Sequence, residues 1–329
     1  MRVQIRATAL AAGAFLILAA TSSAQAQSSV SLYGLMDLSV GSFQNPGADA
    51  SKGVVSGNMT TSFFGLKGTE DLGGGLSAQF SIESFLRSDT GAAGRFDADP
   101  FWARSAWVGL SGGFGSVNVG RNTTSLFVNT LIFNAFGDSF GFSPSIRHTF
   151  TSGTVSGDTG WSDSIKYSSP RFGGLSFTAH VAANDEGGAS GRNKGVSALY
   201  FGGPVGLGFA WQKAEKGATV PDTTSWQLGG SYAFSGAKAF AQYGSVDNDS
   251  TGNSYDITGL GVSVGIGAGS LLGQWGRISP ETGSARTTFT VGYDYNLSKR
   301  TDLYAVYMSD KISGLDTGNT YAVGIRHRF

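Results

Sequence analysis

From residue 29 onward the chain runs on a period of two. Val30, Leu32, Gly34, Met36, Leu38 and Val40 alternate with Ser29, Ser31, Tyr33, Leu35, Asp37 and Ser39. Phe289, Val291, Tyr293 and Tyr295 alternate with Thr288, Thr290, Gly292 and Asp294. In the last segment Tyr321, Val323, Ile325, His327 and Phe329 share one face, and Thr320, Ala322, Gly324, Arg326 and Arg328 the other. Successive side chains of a strand point to opposite faces, so each segment predicts a β-strand with one apolar and one polar side. The breaks between segments are of two kinds, and they alternate. Short ones fall at 70–75, 111–115, 169–174, 202–206, 234–237, 265–269 and 296–300. Longer, more polar ones fall around 44–57, 87–99, 122–160, 184–194, 214–223, 247–253, 279–284 and 310–318. Tight turns on one side and long loops on the other fit this alternation. About 16 strands lie between the breaks, an even number that puts both termini on the short-turn side. No linker or shift in composition interrupts them, so 27–329 reads as a single domain.

Composition decides what covers the apolar faces. Only 14% of the 329 residues are charged, 40% are hydrophobic and 51 are Gly, against about 25% charged and about 7% Gly in ordinary domains. Many segments are about 10 residues or longer, past the usual soluble strand and right for a tilted membrane crossing. Phe43, Phe80, Tyr295, Tyr307 and Phe329 stand near strand ends, where aromatic girdles meet the lipid interface. Inside a bilayer all backbone groups must pair internally, so such a sheet has to close on itself. The expected fold is therefore all-β, a transmembrane antiparallel β-barrel with lipid outside and a water-filled lumen inside. Acidic and basic residues balance at 23 each, so no net charge points to nucleic acid. The absence of Cys excludes a disulfide framework and a thiolate metal site.

The N-terminus predicts the compartment. Arg2 and Arg6 precede an apolar stretch at 7–20, and Ala24-Gln25-Ala26 is a small-x-small cleavage site. Residues 1–26 are the expected cleaved signal peptide of an exported protein.

The stretches SSVSLYGLMDLSV (28–40), FFGLKGTEDLGGGLSAQFSIES (63–84), RSAWVGLSGGFGSVNVGRN (104–122), SIKYSSPRFGGLSFTAHVA (164–182) and VGYDYNLSKRTDLYAVY (291–307) resemble the general porins of Gram-negative bacteria, in particular the β-proteobacterial kind. The resemblance spans the chain past the signal peptide. It implies an outer-membrane homotrimer of 16-stranded barrels that passes small hydrophilic solutes and ions by passive diffusion, without cofactor, metal or catalysis. It further implies contact with outer-membrane lipid and lipopolysaccharide. The terminal Phe329 corresponds to the residue read by the barrel-assembly machinery.

The third external loop of that family folds inward and narrows the pore. By position it is residues 122–160, the longest break, rich in Phe yet without a stable period. Folding inward gives the phenylalanines a wall to pack on. By motif, Arg104 matches a wall arginine of the constriction, and Lys67 and Lys166 share its lumen-facing parity. Two positions depart from the family, with Phe63 and Gly160 standing where arginines are usual. The loop supplies the acids Asp138 and Asp158, balanced by Arg147, so the expected transverse field is weak. Arg121, at the loop base, is a candidate subunit contact. The alternative function is a channel selective for sugars or aromatic and organic solutes, using Trp102, Phe127, Phe133, Phe136 and Trp161. A barrel adhesin or enzyme with a closed lumen is the rival of a different class.

Other motifs carry less. The GLSGG stretch (109–113) matches a nucleophile elbow but is followed by a strand rather than a helix. DNDSTGNSYDIT (247–258) begins like a calcium loop and lacks the closing Glu at Thr258. His148, His180 and His327 have no ligand spacing, and Glu70-Asp71 reads as a solvated turn.

Overall fold

The computed structural model describes residues 29–155, 159–183, 192–215 and 222–329. The signal peptide expected at 1–26 and the acid Asp158 lie outside them. In chain order the elements are β1 (Ser29–Phe43), β2 (Ser51–Ser56), β3 (Phe63–Gly73), β4 (Leu76–Arg87), β5 (Ala92–Ala93), β6 (Ser105–Gly112), β7 (Gly115–Thr123), α1 (Ser125–Ile132), α2 (Pro144–Phe150), β8 (Gly160–Ser168) and β9 (Leu175–Ala182). They continue with β10 (Asn193–Gly202), β11 (Val205–Ala214), β12 (Thr223–Phe234), β13 (Ala237–Asn248), β14 (Asn253–Ile266), β15 (Gly269–Pro280), β16 (Arg286–Asn296), β17 (Thr301–Ile312) and β18 (Gly318–Arg328).

Sixteen of these strands form a closed antiparallel barrel, as the alternation of breaks predicts. Closure runs through β1, which pairs β3 over Ser29–Leu35 and β18 over Leu35–Ser42. The last residue completes the ring, since Gly34 and Phe329 exchange both backbone hydrogen bonds at 3.1 Å. The two remaining strands are loop pieces. β2 takes up the edge of β1 beyond the reach of β3, and β5 adds two residues to the end of β4.

Burial is inverted relative to a soluble protein. Val30, Leu32, Val108, Leu207, Leu260 and Val323 are all more than half exposed on the outer face. Asp37, Gln227, Gln242, Gln274 and Thr290, of opposite parity, are buried. Lipid serves as solvent for the first set, so the hydrophobic effect does not drive it inward.

The connection from β7 to β8 is not the irregular loop its sequence suggests, because it holds α1 and α2. The Thr124 hydroxyl caps α1 by accepting from Phe127 N, and Ser143 caps α2 by accepting from Ile146 N with Pro144 in the first turn. Helices of 8 and 7 residues are too short to stand alone. Tertiary packing supports them, α1 against β10–β12 and α2 against β14–β16. Glycines of the wall make room. A Cβ on Gly208 or on Gly229 would lie 2.3 Å from the Phe133 ring, one on Gly276 would lie 2.7 Å from Pro144, and one on Gly259 would lie 2.9 Å from the Ser145 hydroxyl. Phe133 and Phe142 are each 1% exposed in this seam.

An arginine in place of outward-facing Leu260, near the middle of β14, is expected to destabilise the barrel in phospholipid vesicles by about 2–4 kcal/mol. Urea titration of the variant against the parent protein measures this, and an unchanged midpoint would contradict lipid exposure of that face.

Candidate functional site

The polar side of the wall gathers charged residues into three groups. The first joins β1, β3, β4 and the residue before β6. Arg104 Nη1 donates to Glu83 Oε2 at 2.5 Å, and its guanidinium lies 3.8 Å from the centre of the Phe63 ring. Phe63 meets Tyr33 edge-on at 6.0 Å, and the Tyr33 hydroxyl donates to Glu83 Oε1 at 2.5 Å. Lys67 Nζ sits 4.5 Å above the Tyr33 ring. Three of the residues singled out in the sequence, Arg104, Lys67 and Phe63, thus belong to one continuous cluster. Phe63 supports the Arg104 guanidinium through its π-face.

The second group surrounds Arg326. Its Nε donates to Asp302 at 2.6 Å, Nη1 to the Thr60 hydroxyl at 3.1 Å, and Nη2 to Asp294. Arg328 adds a 2.7 Å bond to Asp302. The Thr60 hydroxyl donates to Asp138 Oδ1 at 3.3 Å, linking the β7–β8 segment to this group. Burial raises the Asp138 pKa above the usual carboxylate value, and the positive charges of Arg104 and Arg326 pull it back. Next to it, Asp37 Oδ2 accepts from Met59 N at 2.7 Å and Thr60 N at 2.9 Å, and Oδ1 accepts from the Tyr304 hydroxyl at 2.6 Å. Asp37 therefore ties the turn between β2 and β3 to β1 and β17, and it is fully buried.

The third group holds α2 to the wall. Asp310 receives Arg286 Nε at 2.8 Å and Nη2 at 2.5 Å, Arg147 Nη2 at 3.0 Å, and the Thr288 hydroxyl at 2.9 Å. Arg147 thus pairs with a wall carboxylate, and among the described residues not with Asp138 of its own segment. His148 Nε2 lies 2.9 Å from the Thr288 hydroxyl. Its pKa falls to about 3, first through burial and then through the charges of Arg286 and Arg147, with Asp310 opposing.

Lys166 stands apart, its Nζ donating to Thr123 O at 2.9 Å where the segment leaves β7. Beside it Trp161 and His180 lie with ring centres 4.7 Å apart, both buried. Arg121 braces the same base, donating to Ala103 O at 2.5 Å and to the Ser162 hydroxyl at 3.0 Å. Phe133, Phe136 and Trp161, three of the aromatics of the solute-stacking alternative, are at most 4% exposed and face protein. No group of three or more His, Cys, Asp and Glu with metal-holding geometry occurs among the described residues. The sequence reading missed two pairs, Asp310 with Arg286 and Asp302 with Arg326. Their lumen parity was readable, but their pairing across neighbouring strands was not.

A family model described as Gram-negative porin matches residues 7–315. The chain belongs to the Gram-negative porin family. Outer membrane porin protein 32 of Delftia acidovorans is 33% identical to it, over 96% of this chain and 98% of that one. An outer membrane porin protein of Bordetella pertussis is 29% identical over 93% of this chain and 96% of its own. Among solved structures, an anion-selective porin from Comamonas acidovorans superposes with a TM-score of 0.78 at 29% identity, over 92% of this chain and all of that one. The porin is accordingly a β-barrel of the Gram-negative outer membrane, a channel through which solutes diffuse passively.

Two outcomes test the third group. Asp310→Asn leaves Arg147 and Arg286 facing each other without their shared carboxylate and is expected to cost about 3–5 kcal/mol in denaturant unfolding. The folded porin keeps His148 neutral down to about pH 3, whereas an unperturbed histidine titrates at 6.5. A lowered histidine contributes its full stability above pH 6.5, and that contribution is lost as the pH falls from 6.5 toward 3, at up to about 1.4 kcal/mol per pH unit. His148→Gln, which keeps a partner for Thr288, should flatten this acid-side loss when unfolding is followed across that range.

Proposed function

We propose that the porin passes ions and small hydrophilic solutes through a pore narrowed by residues 122–160, with a weak preference for anions. The observation that carries this is the seating of α1 and α2 on the polar side of β10–β16. With one half of the wall covered in this way, passage is left along the other half, which bears Arg104, Phe63, Lys67 and Tyr33. The local field there is small, because Arg104 is matched by Glu83 and Arg326 by Asp294 and Asp302. The excess is positive. Lys67 and Lys166 are held by a ring and a carbonyl, and Arg147 and Arg286 share one carboxylate. Rings of charge set ion preference in pores, and the related Comamonas porin is described as anion-selective.

The reading includes a homotrimer, since one structure of similar fold, OmpT of Vibrio cholerae, is described in a trimer form. Arg121 at the base of the segment is its candidate contact. It also includes lipid and lipopolysaccharide against the outer apolar band, and Phe329 as the residue met by the barrel-assembly machinery. Its chemistry is diffusion, with no catalytic step.

In planar bilayers the conductance should rise in proportion to salt, and the reversal potential in a potassium chloride gradient should favour chloride slightly. Arg104→Ala leaves Glu83 uncompensated and should move that potential toward potassium; an unmoved potential would remove Arg104 from the constriction. Heat-modifiable, SDS-resistant bands at trimer size check the assembly, and a monomer band under all conditions contradicts it.

A further inference from the structure

On the side of the long loops, reaching down to Arg147 of the third charged group, lies a cavity of about 330 Å³. Its lining includes three arginines, Arg87 at the end of β4, Arg95 between β5 and β6, and Arg147 on α2, and no carboxylate. Leu86 and Phe140 form an apolar part of the same lining, beside the hydroxyl-bearing Thr61.

The carboxylates that answer these arginines stand outside that lining, and they hold them unequally. Arg95 is clamped by Asp99, with Nε to Oδ2 and Nη2 to Oδ1 both at 2.8 Å, and its guanidinium lies 4.6 Å from the centre of the Phe85 ring. Arg147 is fixed by Asp310, but Arg286 takes the same carboxylate, so this trio carries one uncompensated positive charge. Arg87 touches Asp97 at 2.7 Å, and the Asp97 side chain is 95% exposed. A pair so solvated contributes little, which leaves the Arg87 guanidinium available to a better-placed anion. Buried nitrogens point the same way, since Nε of Arg87 and Nε of Arg147 have no hydrogen-bond partner among the described residues.

We propose that this cavity is a binding site for a small organic carboxylate with an apolar body, the carboxylate held by Arg87 and Arg147 and the body packed on Phe140 and Leu86. Planar guanidinium forks match carboxylate geometry. A cavity that joins a few convergent polar groups to an apolar wall is the ordinary form of a small-molecule site. Two fixed cations and one movable one set the field in advance and leave a single side chain to close on the ligand. The site deepens the channel reading, because it would concentrate such anions at the mouth ahead of the narrowest part. Its existence as a binding site does not depend on conductance.

Calorimetric titration of the folded, detergent-solubilised porin with sodium benzoate tests the site, with benzamide and sodium acetate as controls. Benzoate should bind, and benzamide, which lacks the charge, and acetate, which lacks the ring, should each bind at least about tenfold more weakly. Arg87→Gln and Phe140→Ala should each weaken benzoate by about tenfold while keeping heat-modifiable mobility on gels. Absence of benzoate binding, equal binding of benzamide, or an affinity unchanged in both variants overturns the site. A porin that conducts but does not bind benzoate loses the site alone. One that binds benzoate but does not conduct loses the channel reading and keeps the site.

Discussion

Backbone hydrogen bonding in a medium without water is the constraint from which the rest of this structure follows. Each N–H and C=O of a membrane-crossing segment needs a partner supplied by the protein. Strands meet this need only if the sheet has no edge, and here the last edge is removed by β1 pairing with β18 and by the bonds between Gly34 and Phe329. Once the ring is closed, the pleat assigns each residue to lipid or lumen by parity alone. The unusual composition is then explained, because half of each strand faces hydrocarbon and needs no charge.

The same parity creates the second problem, a wall of buried polar side chains on the inside. The structure handles it by pairing charge across neighbouring strands and by seating the β7–β8 segment on the rest. Arg326 bridges β16 and β17, Asp310 bridges β16 and α2, and Asp37 holds the return of the first loop. Each removes a cost that an isolated buried charge would impose. The segment itself brings Asn129 to Gln227 at 2.8 Å and Gln274 to Ser145 at 2.7 Å. Its phenylalanines fill hollows that glycines leave. Polar satisfaction and apolar packing therefore act on one surface, which gives two short helices a fixed position despite their length.

Strand positions, turn sides and the place of the long segment were legible in the sequence because each depends on local pattern, either parity or break length. Arg104 and Phe63 were singled out by motif, but their contact at 3.8 Å emerged only in the fold. The helices were not. Seven or eight residues cannot establish a helical period, and the signals that do exist, Thr124 and Ser143 as caps, are common in loops. The Asp37 hub escaped for another reason, since its partner Tyr304 lies 267 residues away and nothing near Asp37 announces it. Arg147 was legible as a charge of the segment, but its partner was not, because Asp310 is 163 residues further on. Sequence pattern gives the face of a residue, and only the closed ring gives its neighbour.

The glycine floor beneath α1 and α2 bears on the proposed constriction. Gly208, Gly229, Gly259 and Gly276 contact the segment from behind, on strands that need not touch a passing solute. Side-chain volume added there would act as a shim, shifting the segment away from these strands without changing which residues it presents to the lumen. In the proposed pore, gauge and chemistry are thereby separable, the first set by what lies under the segment and the second by what it shows to the water.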